Sequence, residues 1–365
     1  MGQQYEFTLA DELQFTPKPA IAKARAALEH ALPAVLTAEL PRLNGNIHAV
    51  KAAPALLPKD SIAEDAFRFT LMQCKWHIAA NIPSVIEARE IEGVHQMRVA
   101  LRRLRVALAS FGEEFRTPAL ENLRARAKIL AQFLAPARDL DVFVDELFKP
   151  AARANGAVEA FAVLRERAQQ ARRTAWDDAV ERVSSRAFMD FVTDLNQAID
   201  ERVWYHSTRG RSPARGLVAF DAPAKSLANR MLKHRMAQAC KRARKLEQLD
   251  DIERHKLRIT LKKLRYSADF FAPLYDKKPV QKFQKRLSKM QDILGALNDV
   301  VVARNTLEHL VGEGGAGPLA SREDLSFAAG IVYGWHLDRA ARTWEDAVKR
   351  WKKFAKTEPF WATEQ

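Results

Sequence analysis

Two segments of this chain carry the same pattern of charge: GVHQMRVALRRLR at residues 93–105 and, 160 positions later, ERHKLRITLKKLR at residues 253–265. Each contains the pattern H-x-x-R-x-x-x-[RK]-[RK]-L-R. At about 100° per residue, the histidine and three of the cations fall within an arc of about 80° on a helix, with an apolar stripe beside them. The pattern therefore predicts two amphipathic helices that each present a row of positive charge.

The two cationic rows are candidates for binding an anion, and cations of the next predicted helix extend them. Arg103 and Lys263 point away from the rows and are predicted to be peripheral. The sequence leaves open whether the two histidines contact a ligand or only support the helices. The predicted binding residues are His95, Arg98, Arg102, Arg105, Arg126, His255, Arg258, Lys262, Arg265, Lys282, Lys285, Arg286 and Lys289.

Neither row has a counter-charge in its own segment. The first lies in a stretch without Asp or Glu between Glu92 and Glu113, and the second in a similar stretch from Arg254 to Tyr266. Like charges at i and i+4 destabilise a helix by roughly 0.2–0.5 kcal/mol per pair, which indicates that an external anion completes the site. Arg binds phosphate oxygens through a planar fork and Lys acts as a mobile point charge. Together they predict a site for a linear polyanion.

The composition predicts a helical protein with its charge in one place. The chain has 365 residues but only 14 Gly, and few stretches alternate apolar and polar residues as half-buried strands do. The formal net charge is +14, and residues 225–289 account for all of it, with 20 Lys or Arg against 6 Asp or Glu. A patch of this density attracts anions over a distance of about 10 Å at 0.1 M salt.

The 160-residue offset continues beyond the two segments and predicts an internal duplication. Leu134–Asp139 falls opposite Leu294–Asp299 without a gap. Asp139 and Asp299 are interpreted as N-caps of a fourth helix in each copy, at 140–148 and 300–310. The predicted fold is all-α, with two four-helix bundles related by pseudo-twofold symmetry. The predicted boundaries are an N-terminal arm at 1–60, repeat one at 61–150, a helical hairpin and linker at 151–223, repeat two at 224–311, and a C-terminal helix at 321–356.

The remaining signals predict a cytoplasmic, soluble protein without a metal or cofactor. Cys74 and Cys240 are the only cysteines and lie in no metal or redox spacing, so no disulfide is expected. Residues 1–20 lack a basic region followed by an apolar run, and no stretch approaches the roughly 18 apolar residues that a membrane span needs.

The paired segments resemble the signatures of the CHAD family, the histidine-containing α-helical domain. The resemblance lies in VHQMRVALRRLR at 94–105 and HKLRITLKKLRY at 255–266, and it extends to LGALND at 294–299 and PFW at 359–361. It covers about residues 60–361, assigned as a CHAD-like domain at 61–361. The resemblance implies two pseudo-symmetric four-helix bundles with a basic groove that binds inorganic polyphosphate, and a place on polyphosphate granules in bacterial cells, with other granule-associated proteins as further partners. The two rows would then be the binding residues.

The sequence offers less support for two other classes of function. A nucleic-acid-binding protein is the alternative, but the motif helices offer only Tyr266 for base stacking and only Gln96 for base recognition. An enzyme acting on polyphosphate would need carboxylates to hold Mg²⁺, and none lies on the cationic arcs. Neither a Walker-type loop nor the ExExK strand of a fused triphosphate tunnel domain occurs. The expected function is therefore non-catalytic binding.

Overall fold

The fold is described by a computed structural model, in which residues 42–43, 46–111, 115–156, 159–207, 220–312 and 319–362 are defined. The predicted all-α class is confirmed, because long helices account for almost all of this part of the chain. A two-residue antiparallel pairing of β1 (Arg42–Leu43) with β2 (Asn46–Ile47) precedes the helices. Residues 1–41 of the predicted N-terminal arm lie outside the described residues.

The first half of the domain contains short and long helices in sequence. A π-helical segment (Phe143–Phe148) continues α5 into α6, and a 3₁₀ turn (Val203–Ser207) follows α8. The helices are α1 (Ala63–Ala80), α2 (Ile82–Ile86), α3 (Ile91–Ser110), α4 (Pro118–Phe133), α5 (Ala135–Val142), α6 (Lys149–Ala154), α7 (Ala160–Ser184) and α8 (Arg186–Asp200).

The second half contains four long helices. Short 3₁₀ turns at Leu246–Gln248 and Ala272–Leu274 flank the second motif helix. Its N-cap is Asp250, whose side chain accepts a hydrogen bond from the Glu253 backbone N–H at 2.7 Å. The helices are α9 (Ala224–Arg242), α10 (Asp251–Phe271), α11 (Lys277–Gly312) and α12 (Leu319–Ala355).

The predicted fourth helices differ from the observed ones, and the interpretation of Asp139 and Asp299 as N-caps is wrong. The N-cap of α5 is Leu134, so Asp139 lies inside the helix. In the second half, α11 is one helix of 36 residues that passes through Asp299 without a break. Its buried residues continue at helical spacing beyond that point, at Val300, Ala303 and Leu307. A continuous apolar face keeps the helix intact where the sequence predicted a new start.

The motif helices form as predicted, and their apolar stripes are the centre of the main core. Met97, Leu101 and Leu104 of α3 are fully buried. The equivalent leucines of α10 are Leu257, Leu261 and Leu264, and they are also fully buried. Burying a leucine side chain contributes roughly 1.5–3 kcal/mol, so these stripes fix the rotation of both helices about their axes. That rotation sets where the cationic rows face.

The two halves of the chain meet through equivalent elements. Helix α1 packs against α9, and α3 packs against α10. At the start of α1 the Ala63 N–H donates to the Ala222 carbonyl at 2.8 Å, and at the start of α9 the Ala224 N–H donates to the Ser61 carbonyl at 2.8 Å. This exchange satisfies one helix-terminal N–H on each side. It agrees with a pseudo-twofold relation, and the duplication itself stays a prediction.

Part of the segment assigned to the N-terminal arm packs with the helices. Val50 is buried, and its backbone N–H donates to the Asn81 side-chain oxygen at 2.9 Å. The Asn81 amide returns a hydrogen bond to the Val50 carbonyl at 2.9 Å. His77 Nε2 lies 3.0 Å from the same carbonyl. Residues near Val50 therefore belong to the packed unit that includes α1.

A close helix approach sets the first turn of α3. A Cβ atom added at Gly93 would lie 2.6 Å from the Ser84 Oγ and 3.0 Å from the Ser84 backbone carbon. No larger residue fits there without moving the α2 backbone, because contacts this short are strongly repulsive. Glycine thus lets the start of the motif helix rest directly on α2, two residues before His95.

Candidate anion-binding site

Four cations from the two motif helices form a cluster where α3 and α10 meet, here called the central cluster: Arg98 and Arg102 from α3, and Arg258 and Lys262 from α10. All four side chains are half-buried. Burial lowers the pKa of Lys262 to about 6, with further lowering by the charges of Arg102 and Arg258. Arg102 and Lys262 occupy equivalent positions in the two segments, so the rows meet at matching residues.

The arginines of the central cluster are also held in a confined environment. Burial lowers the pKa of Arg98 to about 10, against the opposing effect of Asp139. The Arg98 guanidinium donates to the Ala131 carbonyl near the end of α4. Burial and the charge of Arg102 lower the pKa of Arg258 as well, whereas Asp299 raises it. Since each charged group is short of water here, an anion would find strong, partly desolvated donors.

Two carboxylates, Asp139 from α5 and Asp299 from α11, face the central cluster. Burial raises the pKa of Asp139 although Arg98, Arg138 and Arg102 lower it. Burial raises the pKa of Asp299 to about 6, against the effects of Arg258 and Lys262. Both residues are half-buried and stand at equivalent positions in the 160-residue repeat. They are internal counter-ions, and sequence reasoning missed this role because it interpreted them as helix caps.

The two motif histidines have different surroundings. His95 is half-buried, and its pKa is lowered by burial and by the charge of Arg138, a residue that sequence reasoning did not assign to the site. His255 is exposed, and its Nδ1 lies 2.9 Å from the Asn298 Oδ1. Since Asn298 occupies the position equivalent to Arg138, the two ends of the site differ in charge.

The last cations of the two rows also differ. Arg105 is half-buried, and its pKa is lowered by burial and by the charges of Arg102 and Arg124. Arg265 is exposed, donates to the Gln291 Oε1 at 3.0 Å, and has its Nε 4.0 Å from the Asp269 Oδ2. The expectation of a row without an intrahelical counter-charge is therefore wrong for Arg265, because Asp269 lies one turn further along the same helix.

The cations predicted on the following helices lie at other contacts. Arg126 forms an ion pair with Asp194 and lies over the Phe191 ring at 5.5 Å. Arg286 donates to the Thr357 hydroxyl at 2.6 Å, next to the C-terminal end of α12. The structure therefore places neither in the central cluster. Lys282, Lys285 and Lys289 are exposed on α11 and are not among the charges that act most strongly on Lys262.

The two residues predicted to be peripheral have contrasting positions. Arg103 is buried, lies 5.3 Å from the centre of the Phe270 ring, and lowers the pKa of His77. It is a core residue. Lys263, at the equivalent position of α10, is half-buried, and the charges of Arg235 and Arg105 are the strongest electrostatic influences on its pKa, which they lower together with burial. Lys263 thus joins a group of cations that the helical wheel did not bring together.

The central cluster provides guanidinium and ammonium donors from two helices to an anion, opposed by two carboxylates. Among the residues that the structure describes, no group of three or more His, Cys, Asp or Glu is placed to hold a metal ion. No helix in the described ranges is long and apolar enough to cross a membrane.

Fold and site define the class: an all-α domain in which two helices with the same motif meet at a cationic cluster. The chain belongs to the CHAD domain family, whose model matches residues 70–308. It is similar to the crystal structure of the CHAD domain from the plant Ricinus communis, with a TM-score of 0.68 and 27% identity over 82% of this chain and 96% of that one.

A second solved structure, PptA from Streptomyces chartreusis, has a TM-score of 0.57 and 16% identity, covering 79% of this chain and 100% of that one. At 16% identity, this similarity shows that the two proteins share a fold and nothing more. No curated protein matches the chain.

Proposed function

We propose that this protein binds inorganic polyphosphate without catalysing its conversion, and that the phosphates occupy the central cluster. The observation that carries the proposal is the meeting of Arg98, Arg102, Arg258 and Lys262 from two helices at one half-buried position. Membership in the CHAD family supports it. In the cell, such binding would place the protein on polyphosphate granules in the cytoplasm.

A repeating phosphate chain suits this site better than a nucleic acid does. The central cluster offers charge and hydrogen-bond donors and no aromatic platform, whereas single-stranded nucleic acids are held largely by stacking of bases on aromatic side chains. Tyr266, the aromatic residue noted in the second segment, is half-buried and lies within about 40° of Lys262 by helical rotation, but one ring does not provide the series of platforms on which successive bases stack. Polyphosphate needs only the row of donors.

The surroundings of the acidic residues at the site support a non-catalytic role. Metal-assisted phosphoryl transfer requires carboxylates that hold Mg²⁺ against the phosphates. Asp139 and Asp299 face Arg98 and Arg258 instead. A carboxylate committed to guanidinium groups is a poor ligand for a metal ion.

Competition tests the proposal directly. Labelled long-chain polyphosphate bound to the protein at 150 mM salt should be displaced by unlabelled polyphosphate at least about tenfold more effectively than by RNA or single-stranded DNA at equal phosphate concentration. Affinity should fall steeply as salt rises, since neutralising a polyanion releases condensed counter-ions. Equal displacement by RNA would assign the site to nucleic acids, and release of phosphate with Mg²⁺ above a buffer blank would contradict the non-catalytic role.

Polyphosphate binding should tighten as the pH falls from 7.5 to 5.5. Lys262, with its pKa lowered to about 6, is largely uncharged at pH 7.5, and Asp299, with its pKa raised to about 6, is largely charged. Acidification protonates both, and each step makes the site one unit more positive. The affinity for polyphosphate should rise about tenfold, which is equivalent to about 1.4 kcal/mol of binding free energy.

The matched measurement uses the double variant Lys262→Met with Asp299→Asn, in which neither position titrates. Its dissociation constant for long-chain polyphosphate should change clearly less between pH 7.5 and 5.5 than that of the wild type. At pH 7.5 the wild type should also take up protons on binding, which calorimetry in buffers of different ionisation enthalpy detects. An affinity that weakens at low pH would contradict the electrostatic account of the site.

A further inference from the structure

The outer side of α4 carries a stripe of uncharged residues, called the α4 face below. Ile129 and Phe133, one helical turn apart, are 49% and 45% exposed, whereas residues on the opposite side of the helix are buried. The α4 face consists of the exposed residues Asn122, Ala125, Ile129 and Phe133. At the 160-residue offset, the first three of these positions correspond to Lys282, Lys285 and Lys289. The α4 face is therefore not an anion-binding surface, and a face that is only solvated would carry charged or polar residues.

Positive charge surrounds the α4 face. Residues 122–136 contain three Lys or Arg and no Asp or Glu. The Arg182 guanidinium, from α7, lies over the Phe133 ring at 3.9 Å from its centre. Among the residues that the structure describes, no carboxylate forms an ion pair with Arg182. A partner of this face should therefore combine apolar side chains with acidic ones, because a second basic surface would be repelled.

The outer side of α12 carries a second exposed apolar stripe, called the α12 face below. Phe327 and Leu337 are 61% and 49% exposed. On the opposite side of this helix, Leu325, Ala328 and Val332 are buried in a core cluster shared with α7 and α11. Successive steps of three, four and three residues keep the exposed stripe within an arc of about 80°. The α12 face consists of Phe327, Gly330, Gly334 and Leu337.

Two glycines form a notch at the centre of the α12 face. Glycine destabilises a helix interior more than any residue except proline. A Cβ atom added at Gly330 or Gly334 would meet no other part of the chain within 4 Å, so packing inside the chain does not require glycine at either position. Without side chains there, the helix surface is open between Phe327 and Leu337. A large side chain from another molecule can enter this notch and pack against the backbone.

The two faces match in charge and in length. Residues 323–338 contain three Asp or Glu and no Lys or Arg, which is the reverse of the sequence around the α4 face. Glu323 and Asp324 are exposed. From Phe327 to Leu337 the helix rises about 15 Å, and from Asn122 to Phe133 it rises about 16 Å. An apolar stripe with basic flanks and an apolar stripe with acidic flanks are thus present on one chain.

We propose that the α12 face of one copy of this chain docks on the α4 face of a second copy. Ile129 and Phe133 then enter the notch at the two glycines, and the basic and acidic flanks face each other. Two different surfaces of the chain meet, so the contact closes reciprocally in a pair or repeats along a row of copies. A single helix pair lies at the small end of specific interfaces. Association is therefore expected at micromolar protein concentrations, and it does not depend on polyphosphate.

Analytical ultracentrifugation of the full chain without polyphosphate, at up to about 200 µM protein, tests this inference. Phe133→Asp disrupts the α4 face. Gly330→Gln with Gly334→Gln fills the notch of the α12 face and should not lower the melting temperature, because Gln is a better helix former than Gly. Ile252→Asp removes a 65% exposed apolar side chain from α10 and is the matched control. Helical content from circular dichroism verifies that each variant is folded.

We expect the wild type and the control to associate alike, and each face variant to associate at least about 30-fold more weakly. A mixture of the two face variants at about 200 µM should form a 1:1 pair, because each supplies the face that the other lacks. The inference is overturned if the wild type stays monomeric over this range, if only one face variant loses association, or if the mixture stays monomeric. Polyphosphate is absent throughout, so these results leave the proposed function to its own test.

Discussion

Replacing Arg98, Arg102, Arg258 and Lys262 together by Ala should weaken the binding of long-chain polyphosphate by at least about 100-fold. A hydrogen bond to a charged group contributes roughly 1.5–3 kcal/mol to the free energy of binding. A loss of about 2.7 kcal/mol corresponds to a 100-fold weaker affinity. The fold should survive, because the apolar stripes of α3 and α10 are separate residues and remain fully buried. Mutual repulsion within the cluster also disappears in the variant.

The control for this variant removes the same number of basic side chains elsewhere. Lys51, Lys128, Lys349 and Lys356 are all exposed and none belongs to the central cluster. Replacing these four by Ala lowers the net charge at least as much and should weaken binding less than about fivefold at 150 mM salt, where exposed charges are screened. Equal losses in the two quadruple variants would show that binding depends on net charge, and the central cluster would lose its role.

Replacing Asp139 and Asp299 by Asn should tighten polyphosphate binding by about tenfold or more. Both carboxylates face the central cluster and oppose an incoming anion, and Asn keeps their shape while removing the charge. At an effective dielectric constant of about 20, two unit charges a few ångströms apart interact by a few kcal/mol. Screening by salt reduces this interaction energy to a fraction of that value. The melting temperature near neutral pH should not fall, because burial outweighs the arginines and raises the pKa of both carboxyls, so their charged forms are disfavoured in the folded protein.

The matched control is Asp178→Asn, which removes an exposed carboxylate from α7. Calorimetry and thermal unfolding of the three proteins decide the role of the internal counter-ions. Tighter binding without a loss of stability is the expected outcome. Weaker binding would show that Asp139 and Asp299 orient the arginines for the ligand, and the description of them as competitors of phosphate would be wrong.

The sequence predicted the parts of the fold that local chemistry determines. Helical spacing of Met97, Leu101 and Leu104 identified a buried stripe, and these residues are fully buried. Helix α4 begins at Pro118, a residue type that is common at the first helical position, and the Thr117 hydroxyl accepts from the Leu120 N–H. A periodic pattern and a cap are properties of one segment, so one sequence is enough to reveal them.

Tertiary partners were not predictable in the same way. The 160-residue offset matched Arg126 with Arg286 and placed both in the site, but Arg126 pairs with Asp194 and Arg286 with Thr357. A helical wheel gives the side of a helix on which a residue lies and not the element that packs there. The inserted hairpin α7–α8 packs beside Arg126, whereas the C-terminal end of α12 packs beside Arg286. These two cations stand at equivalent positions of the repeat but therefore contact different elements.

The acidic residues of the site show a second limit of sequence reasoning. The predicted repeat places Asp139 opposite Asp299, and an Asp at the start of a predicted helix is most often a cap. Only the structure shows that α11 continues through Asp299 and that both carboxylates face cations. A signal was present nonetheless: an Asp follows a polar residue at the same place in both copies, as Arg138-Asp139 and Asn298-Asp299, and each lies downstream of a cationic motif.

A crystal structure of the protein with a polyphosphate of defined length tests the central claim most directly. The account predicts phosphate oxygens within hydrogen-bonding distance of Arg102 and Lys262, at the point where α3 and α10 meet, with Arg98 and Arg258 on either side. It would be contradicted by phosphates bound only elsewhere, such as on the exposed Lys282 to Lys289 face of α11, with the central cluster still closed on Asp139 and Asp299.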